Sequence, residues 1–174
     1  IERLVQQDPS IKGIWCVPKY SNPTGTTYSE TAVKRFSMLP KISGDNFRIM
    51  WDNAYAVHHL SDAPDQLANL MALARHHDTN DSMVLFGSTS KVTFAGAGIS
   101  FLGTSREKLG EFEQHLSETM IGFDKVNQLR HVLFLKDMSG IARHMARHAA
   151  LLKPRFALTE KILSKYLDGK RIGE

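Results

Sequence analysis

Apolar positions along this chain fall into two kinds of run. The first kind is short and bulky: KGIWCV at 12–17, closed by Pro18, then FRIMWD at 47–52, SMVLFGS at 82–88 and GISFLGT at 98–104. Runs of this length between turn formers predict strands. The second kind recurs with helical spacing. IERLVQQ reads as the end of a helix. YSETAVKRFSMLPKI carries Val33, Phe36 and Leu39 on one side, with Ser29 as N-cap. PDQLANLMALARHH sets Leu67, Leu70, Met71 and Ala74 in a stripe. Strands separated by helices predict an α/β fold with a mostly parallel sheet and flanking helices. The gap between LFGS and GISFLG is too short for a helical crossover, so that pair is expected to be antiparallel or offset.

The second half reads as helical. SREKLGEFEQHLSETM opens on Ser105 as N-cap, with Glu107 in the first turn. DKVNQLRHVLFLKD follows, and then a long amphipathic stretch from Ser139 to Gly169 that Pro154 is expected to kink or split. The closing DGKRIGE reads as a helix end, beyond which another domain is expected to begin.

Composition adjusts this picture only slightly. The 174 residues suit one sizeable core, and 42% hydrophobic with 23% charged residues describe a soluble globular chain. The net charge of +4 is mild and carries no basic stripe interleaved with aromatics, so no nucleic-acid partner is expected. No apolar run reaches the length of a membrane span. Cys16 is the single cysteine and cannot form an internal disulfide, which suggests a reducing, cytoplasmic setting. The chain begins at Ile1 without a signal peptide and is expected to be a fragment.

Chemistry gathers where three strands end. The first run leads into SNPTG, the second into WDNAY and the third into GSTSK. In an open parallel sheet, ligands bind beyond the carboxyl ends of the strands. Parallel strands would therefore bring Asn22, Asp52, Tyr55, Ser88, Ser90 and Lys91 to one edge. An amine flanked by hydroxyls can form a Schiff base with an aldehyde cofactor. Pyridoxal 5'-phosphate needs such an amine, an acid for its ring nitrogen, and donors for its phenolate oxygen and phosphate. Read singly, Asn-Pro and Thr-Gly are also ordinary turn formers, and Asp52 with Tyr55 could cap a loop.

In order and spacing, SNPTG, WDNAY and GSTSK resemble the fold-type I pyridoxal-phosphate enzymes of the aminotransferase class I/II family. WDNAYAVHHL with GSTSKVTFAGAG is similar to a bacterial subgroup of aspartate aminotransferases. The resemblance covers nearly the whole chain. It implies that residues 1–138 are the latter part of a cofactor-binding large domain and that 139–174 are a long helical segment leading towards a small domain. It also implies an upstream ring-stacking aromatic, a downstream Arg for the substrate carboxylate, a homodimer, and amino acids and 2-oxo acids as substrates, with aspartate favoured. On it, Lys91 is the catalytic Schiff-base lysine and Asp52 pairs with the ring nitrogen. Tyr55 and Asn22 hydrogen-bond the phenolate oxygen, Asn22 can touch the substrate carboxylate, and Ser88 and Ser90 donate to the phosphate. The isolated chain is expected to be inactive. A lyase of the same fold and a cofactor-sensing domain of a transcription regulator remain open beside transamination.

One departure stands out. Many family members carry a phosphate-pairing Arg eight residues after the lysine, and here that position is Ile99. Other features read as structural. His58 and His59 are adjacent and point to opposite sides of an extended segment. His144 and His148 have i, i+4 spacing, but no Glu follows His144 as in the zinc-protease motif, and they read as a helix face. KVTFAGAG lacks the third glycine of a dinucleotide fingerprint. Asn127, Gln128 and Arg130 are candidates to reach a partner subunit's site, or equally belong to a plain amphipathic helix.

Overall fold

The computed structural model describes residues 1–167, so the predicted helix end at DGKRIGE lies outside the described residues. Four strands form one sheet: β1 (Gly13–Cys16), β2 (Arg48–Asp52), β3 (Met83–Ser88) and β4 (Ser100–Gly103). They lie in the order β1-β2-β3-β4. The first three are parallel, and β4 runs antiparallel to β3, as the short connection requires. All four predicted strands are thus present, and the mostly parallel α/β architecture is that of the sequence expectation.

Strand alternation sorts the sheet into two faces. Cys16, Ile49, Trp51 and Met83 point to one and are almost fully buried. They pack with Val33 and Leu39, and with Leu70 and Ala74, into a single core cluster. These partners come from α2 (Glu30–Met38) with the turn that follows it, and from α3 (Leu70–His76). Tyr28 and Phe36 stack at 5.2 Å, and both meet the Trp51 ring edge-on. Trp15, Met50, Asp52, Phe86 and Ser88 occupy the other face by the same alternation and the observed register. Trp15 is 58% exposed there and stacks on Phe86 at 5.2 Å. β1 is therefore buried on one face only. Bulk and β-propensity suit either face, and the helices of this chain cover one.

Capping decides where the helices begin. Ser29 Oγ accepts from Ala32 N at 3.2 Å and Ser105 Oγ from Lys108 N at 3.3 Å, as the sequence predicts. α3 starts later than its apolar pattern suggests. Asn69 Oδ1 accepts from Ala72 N at 3.0 Å, so Leu70 is the first helical residue and Leu67 packs from the preceding loop. α2 ends at Met38 and tightens into a 3-10 turn over Leu39–Lys41 that contains Pro40. Ser37 Oγ, fully buried, lies 2.8 Å from His77 Nδ1, and Thr79 Oγ1 donates to Ser37 O at 2.6 Å, tying α2 to the end of α3.

The remaining helices are α1 (Glu2–Gln7), α4 (Arg106–Thr119), α5 (Lys125–Leu135) and α6 (Met138–Leu167). α6 is not split: it runs unbroken through Pro154. A proline removes one hydrogen bond of the ladder, and the turns on either side can carry the helix across. The chain divides into two compact units. One comprises residues 1–56 and 65–130, the other 57–64 and 131 onward. The first holds the whole sheet. In the second, Leu135 and Met145 are buried, Lys153 pairs with Asp62 at 2.8 Å, and His144 lies edge-on to Phe134 and 5.1 Å from His148. His144 and His148 thus share one helix face. No helix among the described residues is long and apolar enough to cross a membrane.

Two outcomes follow from this core. Trp51 fills its centre, so Trp51→Ala should cost about 3–5 kcal/mol, read as a lowered midpoint of chemical denaturation. Burial pushes the Cys16 thiol up to about 11, partly offset by a hydrogen bond with Tyr28. The native protein should therefore resist a thiol reagent at pH 8, and denaturant should release one reactive thiol per chain; rapid labelling of the folded protein would contradict this packing.

Candidate active site

Parallel pairing brings three loops to one edge of the sheet. β1, β2 and β3 all run the same way, so the segments after Cys16, Asp52 and Ser88 leave from the same side. Asn22, Asp52, Tyr55, Ser88, Ser90 and Lys91 all lie in the unit that holds the sheet.

The loop after β1 is built by local hydrogen bonds. Tyr28 N donates to Pro18 O at 2.8 Å, and Ser21 N to Thr26 O at 3.1 Å, closing a tight excursion around Asn22. Gly25 has φ +69°, a conformation that glycine adopts without steric cost. The Asn22–Pro23 peptide is cis. Asn22 itself is exposed on this excursion. Just before it, Lys19 is buried, and burial lowers its pKa while Asp65 opposes the shift. Its amine lies 5.2 Å from the Tyr20 ring. Burial likewise raises the Tyr20 phenol, against a hydrogen bond to the Asp65 backbone. The sequence held no signal for this buried lysine; its position after a strand looks like any exposed loop residue.

Asp52 ends β2 half-buried, opposite Phe86 of β3. Asn53 N donates to Phe86 O at 2.9 Å, extending the pairing one residue beyond the strand. The chain then turns, with Ala56 N donating to Asn53 O. This brings Tyr55 to the next loop, where Lys91 Nζ lies 5.0 Å from the centre of its ring. Tyr55 and Lys91, 36 positions apart, are thus brought into contact range.

The loop after β3 is a hydroxyl cluster. Ser88 Oγ donates to Ser90 Oγ at 2.8 Å and accepts from Ser90 N at 3.0 Å. Val92 N and Thr93 N both donate to Thr89 O, and Val92 is buried. That turn anchors the loop on either side of Lys91, whose side chain is exposed. The β3–β4 pairing places Ser100 directly opposite Ser88. Thr89 and Ile99 continue the ladder: Thr89 N donates to Ile99 O at 2.9 Å, and Ile99 N to Thr89 Oγ1 at 2.8 Å. Ile99 is therefore committed to the hairpin backbone, and the residue facing Ser88 is its neighbour Ser100, which counting from the lysine did not single out. Asn127 and Arg130 meet the same region. Asn127 Nδ2 donates to Ala97 O at 2.9 Å, and the Arg130 guanidinium lies 5.2 Å from the Phe94 ring.

The arrangement can hold an anion with hydroxyls, keep an amine beside a phenol, and present a carboxylate on the same edge. Comparison with known proteins agrees in kind. The aspartate amino-transferase family profile matches residues 1–174. A candidate aminotransferase of Mycolicibacterium smegmatis is 49% identical over 172 residues, covering 99% of this chain and 40% of that protein. An aspartate aminotransferase of Corynebacterium glutamicum is 41% identical over 167 residues, covering 96% of this chain and 38% of that protein. The chain thus spans about 40% of the length of the curated relatives it matches. Among solved structures, an aspartate transaminase of Corynebacterium glutamicum superposes with a TM-score of 0.90 at 41% identity, over 96% of this chain and 39% of that one. At the level of fold alone, the α-aminoadipate aminotransferase of Thermus thermophilus, solved with N-(5'-phosphopyridoxyl)-L-leucine, matches with a TM-score of 0.70 at 22% identity. With its strand-end motifs in order on one sheet edge and a family match along its whole length, the chain belongs to the aspartate amino-transferase family.

Proposed function

We propose that these residues form the cofactor-holding part of a pyridoxal-phosphate-dependent aminotransferase that moves an amino group from an aspartate-like amino acid to a 2-oxo acid. The observation that carries the reading is the Lys91 amine 5.0 Å over the Tyr55 ring, on the sheet edge that also bears Asp52 and the serine cluster. The donor set fits the cofactor. There is one amine, one carboxylate on a neighbouring strand end, a phenol beside the amine, and hydroxyls grouped at the next loop.

Pyridoxal phosphate supplies an electron sink conjugated to Cα of the bound amino acid. The work of the protein is to hold and poise it. Asp52 is the residue to keep a proton on the ring nitrogen, because a carboxylate beside that nitrogen favours its charged form. Tyr55 and Asn22 would donate to the phenolate oxygen, and Asn22 would also be available to the substrate carboxylate. Ser88 and Ser90 would donate to the phosphate; their hydroxyl oxygens lie 2.8 Å apart, close enough for both to turn to one anion. The Lys91 amine would hold the cofactor through its aldehyde group and, when freed by a substrate amine, would be the base placed to move the Cα proton. A general base works only within hydrogen-bond reach of its proton, and the turn anchored by Val92 keeps Lys91 on a short tether. The protein is proposed to act as a homodimer in the cytoplasm. The exposed Val126, Leu129, Val132, Leu133 and Phe134 of α5 support an assembly that covers them.

Borohydride reduction of the full-length protein with its cofactor should leave the pyridoxyl mass on the peptide containing Lys91. Lys19 is the informative competitor, since its burial favours the neutral amine. A label on Lys19 in place of Lys91 would overturn the assignment. Asp52→Ala should retain cofactor through Lys91 while its amino-acid-dependent release of keto acid falls by roughly a hundredfold to a thousandfold, the scale of losing one electrostatic stabiliser. Normal turnover by this variant would remove Asp52 from the ring-nitrogen role.

A further inference from the structure

We infer that Ser100 is a third phosphate-binding hydroxyl, set beside Ser88 and Ser90 by the β3–β4 hairpin. The inference rests on the cofactor reading above and extends it to a residue outside the family motif. Its basis is the pairing of the β3–β4 hairpin. Ser88 and Ser100 are direct partners across the antiparallel ladder, so their side chains leave the same face, with Cβ atoms roughly 4.5–5.5 Å apart. Thr89 and Ile99 are the next pair and turn to the opposite face, where Thr89 is buried. Ser90 returns to the first face, as its 2.8 Å contact with Ser88 Oγ requires.

Gly98 completes the geometry. It lies against Ser90 so closely that a Cβ added there would come within 2.7 Å of Ser90 N and 2.8 Å of its Cα. Ser90 itself fills the space that a side chain at 98 would need, so the serine loop lies tight against the segment leading into β4. Ser100 is exposed, so its hydroxyl is open to a ligand. Alternation also puts Asp52 on the same face of the sheet as Ser88, so the hydroxyls and the carboxylate serve one bound molecule. A phosphate offers several strong acceptors, and hydroxyl donors at a charged acceptor form some of the stronger hydrogen bonds. The residue opposite Ser88 supplies a hydroxyl at a place where Ile99, one position earlier, supplies only backbone to the hairpin.

The test is phosphate-specific affinity in the full-length protein. Wild type, Ser100→Ala, Ser100→Cys and Ser100→Thr are titrated with pyridoxal 5'-phosphate and, separately, with unphosphorylated pyridoxal, followed by absorbance. Ser100→Ala and the nearly isosteric Ser100→Cys, a weak donor, should bind pyridoxal phosphate roughly tenfold more weakly, with pyridoxal affinity unchanged. Ser100→Thr, which keeps the hydroxyl, should stay near wild type. Unchanged pyridoxal-phosphate affinity in the Ala and Cys variants would overturn the inference. So would an equal loss for both compounds, which would mean that the hairpin was disturbed. A wild-type protein that bound neither compound would instead overturn the cofactor reading, and this inference with it.

Discussion

The site depends on the hydrogen-bonded pairing of β1, β2 and β3 in one direction. Parallel strands must all end on the same side, and their loops must then share an edge. Asn22, Asp52 and Ser88 come from segments separated by some thirty residues each, yet the pairing alone brings their loops together. Antiparallel neighbours would send alternate loops to opposite ends and scatter the same residues. The core exists to hold this pairing. Trp51 and Ile49 on β2, with Cys16 and Met83 to either side, are pressed against α2 and α3, and that packing leaves the opposite face, with Asp52 and Phe86, to the site.

β4 performs a different task with the same physics. Running antiparallel, it folds back along β3 and brings Gly98 and Ser100 to the serine loop. The hairpin thus sets the shape of the serine-lined surface, while the turn around Thr89 sets the reach of Lys91. One loop sets a pair of serine hydroxyls and an amine a few residues apart because the strand before it and the strand after it are tied together. Against this order stands much uncovered apolar surface. Trp15 on the sheet and Leu129, Leu133 and Phe134 on α5 are more than half exposed. Such surface suits a chain that spans about 40% of the length of its curated relatives.

Much of this was legible in the linear chain. Four short apolar runs became four strands, and Ser29 and Ser105 cap the helices that follow them. The brief link between the third and fourth runs excluded a parallel pair. The three motifs announced the family because each closes a strand and they keep their order. These signals are local: length, spacing, and the hydrogen-bonding preference of one side chain for its own backbone. Where local rules disagreed, the outcome was less legible. Apolar spacing ran back past Asn69, but the cap set the start of α3. Pro154 marked a break that the turns on either side carried across.

What the sequence determined by itself, then, is the set of elements, their direction and the kinds of chemical group at their ends. The tertiary structure alone decided which distant atoms meet. That Ser100 and not Ile99 faces Ser88, that Lys91 stands over Tyr55, that Lys19 is buried and that Trp15 is exposed are all consequences of register and coverage. A residue carries its own alternation and propensity, but it carries no record of the partner strand's register. One residue of slip would turn every side chain of a strand to the other face, and only the packed sheet selects between the two.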